Sequence, residues 1–233
     1  INKVESFKIE TDSITFAIIG DYGDSGEPEL QVSKLVKSWS PDFILTLGDN
    51  NYEDGKLSTI KKNITDYYGD YIYNLDAPSK YQCNGVAFEE QLNRFFPTLG
   101  NHDSRSINNA QPYLIYFSLP DKETYYDFQW GPVHFFSINS GKNGEADCCD
   151  SEQVIWLKKK LTHSEQPFKI VYFHHPPFSN SKHGSTESMQ WPFEEWGASA
   201  IFSGHEHNYQ RITKKYNPFE KVEVLIVLLF LDS

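Results

Sequence analysis

The sequence predicts an α/β fold in which sheets and helices are layered. Three observations predict it. Short apolar runs rich in β-branched and aromatic residues recur along the 233 residues. Stretches with apolar residues at helical spacing lie between several of them. Five of the runs end alike, in glycine or an aromatic residue followed by a side chain able to bind metal. Hydrophobic residues make up 39% of the chain and aromatics 15%, which separates it from disordered sequences. One domain over 1–233 is expected, atypical after about residue 215.

The elements follow in order. ITFAIIG (14–20) reads as a strand that ends in glycine. PELQVSKLVKSW (28–39) carries Leu30, Leu35, Val36 and Trp39 at helical spacing. DFILTLG (42–48) is the second strand, and helices are expected around 56–68 and 86–95. FFPTLG (95–100) is strand-like. YYDFQWG (125–131) and VHFFSIN (133–139) alternate in polarity and are split by Gly131-Pro132, as antiparallel neighbours are. Asp150 as N-cap, with Gln153 three residues on, has the spacing of a capping box ahead of a helix. FKIVYFH (168–174), ASAIFSG (198–204) and YQRITKKY (209–216) complete the strands.

Composition narrows the function. A formal net charge of −11 argues against a nucleic-acid binder, and its bulk field would repel an anionic substrate. The apolar run at 222–231 is too short to span a bilayer. Cys83, Cys148 and Cys149 have no zinc-site spacing; a bridge from Cys83, a vicinal bridge and free thiols all remain open. The chain begins at Ile1, its only methionine is Met189, and Asn63-Ile64-Thr65 is a glycosylation sequon. Loss of a signal peptide is one explanation, so export, secreted or periplasmic, is the expectation.

The five strand ends are IIGDYGD (Asp21), LTLGDNNY (Asp49, Tyr52), PTLGNHD (Asn101, His102), VYFHHPP (His174, His175) and IFSGHEHN (His205, His207). Any one of them alone reads as a polar turn. His205 and His207 are two apart on an extended segment and face the same way. Glycine before a ligand is expected to let the backbone turn without a Cβ clash. Strand ends of a layered α/β fold converge on one crevice, so each loop can deliver one or two ligands to a common point. Carboxylates suit hard cations and can bridge, imidazoles suit transition metals, and two ions about 3.5–4 Å apart can clamp a phosphoryl group.

Taken together, these motifs resemble the metallophosphoesterase superfamily and, within it, the purple acid phosphatases. That family's pattern is GDxG, GDxxY, GNH[D/E], VxxH and GHxH. Here it stands as Gly20-Asp21-Tyr22-Gly23, Gly48-Asp49-Asn50-Asn51-Tyr52, Gly100-Asn101-His102-Asp103, Val171-Tyr172-Phe173-His174 and Gly204-His205-Glu206-His207. The resemblance implies a four-layer α/β/β/α sandwich of two mixed sheets flanked by helices. It implies Fe(III) at Asp21, Tyr52 and His207, and a divalent Fe, Zn or Mn at Asn101, His174 and His205, with Asp49 bridging. Many relatives in the superfamily carry Asp-x-His at the first motif; Gly23 stands there in this chain, and Tyr52 would supply the missing ligand. A phenol with an ordinary pKa of about 10 binds as phenolate only beside a strong Lewis acid. The two ions would outweigh the charge of Asp21, Asp49 and Tyr52 and so attract phosphate locally.

The implied reaction is hydrolysis of a small phosphate monoester, with metal-bound hydroxide as nucleophile, at acid to neutral pH. His102 would contact the substrate phosphate or aid departure of the leaving group, Asp103 could orient His102, and His183 resembles a second family histidine acting as acid or phosphate ligand. His175 reads as a support to the ligands or as structural, not as a ligand itself, and His134 and His163 read as structural. Segments 55–95 and 176–195, with Trp191 and Trp196, are expected to form the rim. A phosphodiesterase or nucleotide/pyrophosphate hydrolase is the alternative on the same metals, and a metal-binding or phosphate-sensing relative is the non-enzymatic one. KVEVLIVLLFLDS (221–233) departs from the family's further strands and glycine-rich turn, and reads either as a closing strand or as altered sequence.

Overall fold

The computed structural model describes residues 7–106, 109–120, 124–141 and 151–212, together with the backbone pairing of Leu228–Leu229. In chain order the elements are β1 (Lys8–Ile9), β2 (Phe16–Ile19), α1 (Glu27–Ser38), β3 (Phe43–Thr46), α2 (Asp66–Tyr68), α3 (Val86–Glu89), β4 (Phe95–Pro97), α4 (Asn101–Ser104) and α5 (Gln111–Tyr116). They continue with β5 (Tyr126–Trp130), β6 (Val133–Ser137), α6 (Glu152–His163), β7 (Phe168–Phe173), β8 (Ala200–Ser203) and β9 (Leu228–Leu229).

The strands form two sheets. One runs β4-β3-β2-β9 and is parallel throughout its described pairs; the other runs β1-β5-β6-β7-β8 and is mixed, with β5 antiparallel to β6 in the register Phe128↔Phe135. The sheets face each other through aromatic rings. Phe43 meets Trp130, Phe135 and Phe128 at centroid distances of 4.7, 5.3 and 5.7 Å, and Phe96 stacks on Phe128 at 3.8 Å. Period-two alternation then assigns each face. Phe135, Ile170 and Tyr172 enter the core between the sheets, whereas Phe136, Val171 and Phe173 pack outward with Val154, Leu157 and Leu161 of α6. With α1 packed against the parallel sheet through Val36, the order of layers is α/β/β/α.

Several expected elements take a different form. In α1 the buried positions are Glu29, Ser33 and Val36, while Leu35 and Trp39 are 45% and 38% exposed. A carboxylate thus occupies the inner face that the apolar pattern assigned to Leu35. The helix expected over 86–95 is a single turn, because Gln91 takes a left-handed φ of 54° and ends it. The stretch expected around 56–68 winds as a π-turn segment, Lys61–Thr65, before α2. The N-cap of α6 is Ser151, whose side chain accepts from the Val154 backbone, not Asp150, which lies outside the described residues. Gln153 instead grips the backbone of Asn139 at the end of β6 in both directions, at 2.8 and 3.0 Å. Residues 209–212 form no strand; 213–216 lie outside the described residues, as do Cys148, Cys149 and most of the apolar tail. Cys83 is a buried free thiol against the Tyr116 hydroxyl.

The sequon fails on burial. The Asn63 side-chain amide is inaccessible and donates to Asn51 Oδ1 and to the Tyr52 carbonyl, both at 2.9 Å. A glycan on that nitrogen would replace one of its two hydrogens, so at least one of these bonds, which hold the turn after β3, would be lost. His134 is structural, as expected: it is buried between Asp127 (2.7 Å) and Ser164 (2.8 Å). His163 caps the last turn of α6, where its ring lies 2.8 Å from the Lys159 carbonyl.

Candidate metal centre

The C-terminal ends of β2, β3, β4, β7 and β8 open into one cleft of about 940 Å³. The carboxylates of Asp21 and Asp49 stand at its floor, 3% and 2% exposed. Each is pinned by one oxygen and offers the other. Asp49 Oδ1 accepts the backbone N–H of His102 at 2.8 Å, and Asp21 Oδ2 accepts that of His205 at 2.9 Å. The free oxygens face the other candidates. Asp21 Oδ1 is 3.5 Å from the Tyr52 hydroxyl and 3.3 Å from His207 Nε2, and the same hydroxyl is 3.3 Å from His207 Nε2. Asp49 Oδ2 lies 3.3 Å from the Tyr52 hydroxyl on one side and 3.3 Å from His174 Nε2 on the other. His174 Nε2 is in turn 3.0 Å from Asn101 Oδ1 and 3.1 Å from His205 Nδ1. The seven side chains therefore form two clusters that share Asp49.

The backbone explains how the loops deliver them. Asp21, Asp49, His205 and His207 all have left-handed φ, at 52, 50, 74 and 43°. Non-glycine residues rarely sit there, and they cluster at functional sites when they do. Gly48 makes the turn expected of it, with a left-handed φ of 88°, whereas Gly100 and Gly204 serve a different purpose. A Cβ on Gly100 would lie 2.2 Å from the backbone nitrogen and Oδ1 of Asp49, and one on Gly204 2.8 Å from Asp21 Oδ2. Their role is close approach, and at Asp21, His205 and His207 the candidate ligand positions themselves make the turn.

Electrostatics point the same way. Among the described residues no Lys or Arg pairs with Asp21 or Asp49; their partners are imidazoles and backbone N–H groups. Burial raises the Asp49 pKa, but His174 and His102 more than offset it and hold the carboxylate ionised. Burial lowers that of His174, yet Asp49 and Asp21 carry it up to about 9. Its Nδ1 donates to the Leu47 carbonyl at 2.7 Å, which turns Nε2 toward the cluster. His205 is lowered to about 4 by burial and by His174 and His183, so its lone pair persists at acid pH. Burial, reinforced by Asp21 and Asp49, pushes the Tyr52 phenol far up when no cation is present. Oxygen and imidazole nitrogen atoms of the seven side chains lie 3.0–3.5 Å from one another around and beside the two buried carboxylates. That donor set fits a pair of cations: oxygen-rich around Tyr52, imidazole-rich around His174.

The remaining expectations divide. His102 lines the cleft with Nε2 4.0 Å from Asp49 Oδ2. Its Nδ1 meets the Glu53 carbonyl at 2.6 Å; a carbonyl only accepts, so Nδ1 carries a proton. The nearby Arg105 Nη1, at 2.9 Å, then has no lone pair to donate to. His183 also lines the cleft, its ring 4.5 Å from that of His205 and its backbone N–H on Glu206 Oε2. Asp103 does not orient His102. It is buried below the cleft and accepts from the Gly100 backbone at 2.9 Å, the Asn50 backbone at 3.1 Å and the Asn50 amide at 2.9 Å. Burial, then Asp49, raise its pKa to about 7. The helical turn at Asn101 faces it inward, one position past His102 on the opposite side.

The rim also differs from expectation. Trp191 and Trp196 pack with Phe193 in the core under α6, and segment 55–95 does not reach the cleft. The other expected segment, 176–195, does reach it through His183, Gly184 and Thr186, and Asp24, Glu53, Arg105 and Asn139 complete the mouth. No periodic signal marks these positions. Arg105, three residues after His102 on the same short helix, could have been found from that spacing. Among the described residues no helix is long and apolar enough to cross a membrane.

A family model described as calcineurin-like phosphoesterase matches residues 14–209. Purple acid phosphatase 22 of Arabidopsis thaliana is 28% identical over 91% of this chain and 49% of its own length. Purple acid phosphatase 15 of the same plant is 27% identical over 86% and 41%. Tartrate-resistant acid phosphatase type 5 of Mus musculus is 23% identical over 86% and 68%. The chain thus spans less than half the length of these two plant relatives. Among solved structures, purple acid phosphatase PPD1 from yellow lupin seeds aligns with a TM-score of 0.65 at 16% identity, over 85% of this chain and 38% of that one. GAP50, described as the anchor in the inner membrane complex of Plasmodium, aligns with a TM-score of 0.60 at 19% identity, over 84% and 66%. Both likenesses support the fold alone. The family match runs through all five strand-end motifs, and the chain belongs to the calcineurin-like phosphoesterase family.

Proposed function

We propose that the chain is an acid phosphatase that hydrolyses phosphate monoesters at a dinuclear centre. Asp21, Tyr52 and His207 would hold Fe(III), Asn101, His174 and His205 a divalent Fe, Zn or Mn, and Asp49 would serve both. The observation that carries this reading is the sharing of Asp49 Oδ2 between the two clusters, at 3.3 Å from each side. When bound, the ions supply Lewis acidity and an activated water.

The chain's own residues supply positioning and the proton. Asp49 and Asp21 are held by backbone N–H groups, so their free oxygens are placed before any ligand arrives. His102, with Nδ1–H on the Glu53 carbonyl, is fixed in the orientation that presents Nε2 to the cleft. Protonated at Nε2, it donates to the departing alkoxide. His183, which lines the cleft beside His205, would contact the phosphate group. Asp103 is assigned no proton; it anchors the Asp49 loop.

A second reading has one observation in its favour. Arg105 is the one Lys or Arg among the described lining residues. A cation at an otherwise acidic mouth favours substrates with a second anionic group, such as diphosphates or nucleotides. The non-catalytic reading draws on the fold neighbour described as an anchor. Elemental analysis, the visible spectrum and turnover of an aryl phosphate test all three. Iron with a charge-transfer band that Tyr52→Phe abolishes is expected for the ferric assignment. A metal-replete, colourless, iron-free enzyme sinks that assignment, and metal-replete protein without turnover sinks the enzymatic one.

A further inference from the structure

His175 lines the cleft beside the proposed ligand His174, yet neither the motif pattern nor the proposed ligand set uses it. Its surroundings fix what it can offer. Ser140, buried beyond the end of β6, lies against both histidines. Its Oγ accepts the backbone N–H of His174 at 3.2 Å and of His175 at 2.9 Å. A hydroxyl has two lone pairs and one proton. With both lone pairs engaged, the hydroxyl meets ring Nδ1 of His175, 2.9 Å away, as donor. Nδ1 is the acceptor, and the ring proton resides on Nε2. Among the described residues nothing accepts from that nitrogen. The ring begins a file of three along one wall, with centroids 4.7 Å from His175 to His205 and 4.5 Å from His205 to His183.

His174, His175 and His205 are close enough together to offer one ligand atom each to an ion. The hydrogen-bond accounting at Ser140 opposes that use, because a nitrogen bearing a proton has no lone pair for a metal. It can donate to an oxygen. We propose that His175 is a substrate-binding residue that donates from Nε2 to a non-bridging phosphate oxygen, on the side of the cleft formed by Asn101, His174 and His205. The proposal rests on the phosphoesterase reading above. It gives the acidic cleft, whose lining includes Asp24 and Glu53, a fixed donor for an anionic group without another charge.

The test uses zinc-loaded wild type, His175→Leu and His175→Gln. Metal content is measured, then inorganic phosphate binding by calorimetry, then steady-state kinetics on an aryl phosphate. Leucine keeps bulk without a donor, and glutamine keeps an N–H donor. The expected result is full metal content in all three. His175→Leu should raise phosphate Kd and KM roughly tenfold with kcat little changed, the size of losing one hydrogen bond to a charged oxygen. His175→Gln should recover most of that loss. Nitrogen NMR of histidine-labelled wild type, which needs no variant to fold, should show His175 Nδ1 unprotonated. A phosphate Kd for His175→Leu within twofold of wild type, a lost metal equivalent, or a protonated Nδ1 overturns the proposal. Wild type that binds phosphate but hydrolyses nothing refutes the phosphoesterase reading, and the Kd comparison still decides His175. Wild type that binds no phosphate refutes both.

Discussion

Glu29 is the least compensated group in the described structure. It sits on the inner face of α1 with no measurable exposure, and neither carboxylate oxygen has a hydrogen-bond partner. The Tyr68 hydroxyl, nearby, is also unpartnered. Burial, with Asp24 adding to it, raises the Glu29 pKa from 4.5 to about 9. The neutral acid is the folded form. Stability from this group is fully present below pH 4.5 and is lost as pH rises toward 9, because the unfolded chain releases the proton first. Between pH 4.5 and 7 the loss is about 1.4 kcal/mol per unit, or roughly 3 kcal/mol. Glu29→Gln removes the ionisation and keeps the shape. In urea or thermal melts at fixed metal, the variant should match wild type near pH 5 and exceed it by about 3 kcal/mol near pH 7. For a chain of this size that is roughly 6–12 °C in Tm. Metal binding adds a pH dependence common to both proteins, so the difference between them is the quantity to read. A gap that does not widen with pH refutes the argument.

Three further outcomes follow from the site. Gly100→Ala should lose bound metal and turnover together, because its Cβ would stand 2.2 Å from Asp49 Oδ1; metal content by elemental analysis checks it, and a metal-replete variant contradicts the role given to that glycine. Asp103→Ala should cost about 2 kcal/mol or more in chemical denaturation, since it strands the buried N–H groups of Gly100 and Asn50. The pH profile of any residual turnover should keep its wild-type shape, as Asp103 does not hold the His102 ring. Chelation of metal should lower Tm, and rebinding should release protons, because His174 is held protonated, with a pKa of about 9, when no cation is present; calorimetry in buffers of different ionisation enthalpy measures that release.

The strand-end motifs were legible because each is local: an apolar strand, a glycine or an aromatic residue, and a candidate donor within a few residues. Sheet placement followed from the same runs, since Phe135/Phe136 and Ile170/Val171 alternate between two cores. What escaped depends on neighbours distant in sequence. Asp103 reads as a partner for His102 because it is adjacent, but its carboxylate reaches back 53 residues to Asn50. Leu35 and Trp39 sit at helical spacing and still face outward, because Glu29 and Ser33 share the inner face with Val36. Trp191 and Trp196 read as rim aromatics, and the core under α6 claimed them. Arg105 carries only its spacing of three from His102, which places it at the cleft once the turn at Asn101 is helical.

The two carboxylates at the floor show why the site is rigid before any ion binds. Four of its seven donors have left-handed φ, each costing about 1 kcal/mol or more for a residue with a Cβ. Such strain persists only where the surroundings over-determine it. Here the restraint is the backbone of other motifs. His102 N–H holds Asp49, His205 N–H holds Asp21, and Gly48 and Leu47 carbonyls take Asp21 N–H and His174 Nδ1–H at 3.1 and 2.7 Å. Each motif is thus locked by another motif's main chain, not by its own side chains. Donor geometry should therefore survive substitution of a single ligand side chain. Asp49→Ala should abolish binding at both clusters while leaving the loops in place, whereas Gly100→Ala moves the loop itself. Hydrogen exchange at the Asn50 amide, which donates to Asp103 and not to Asp49, separates the two: near wild type in metal-free Gly100→Ala would break this account of how the site is held.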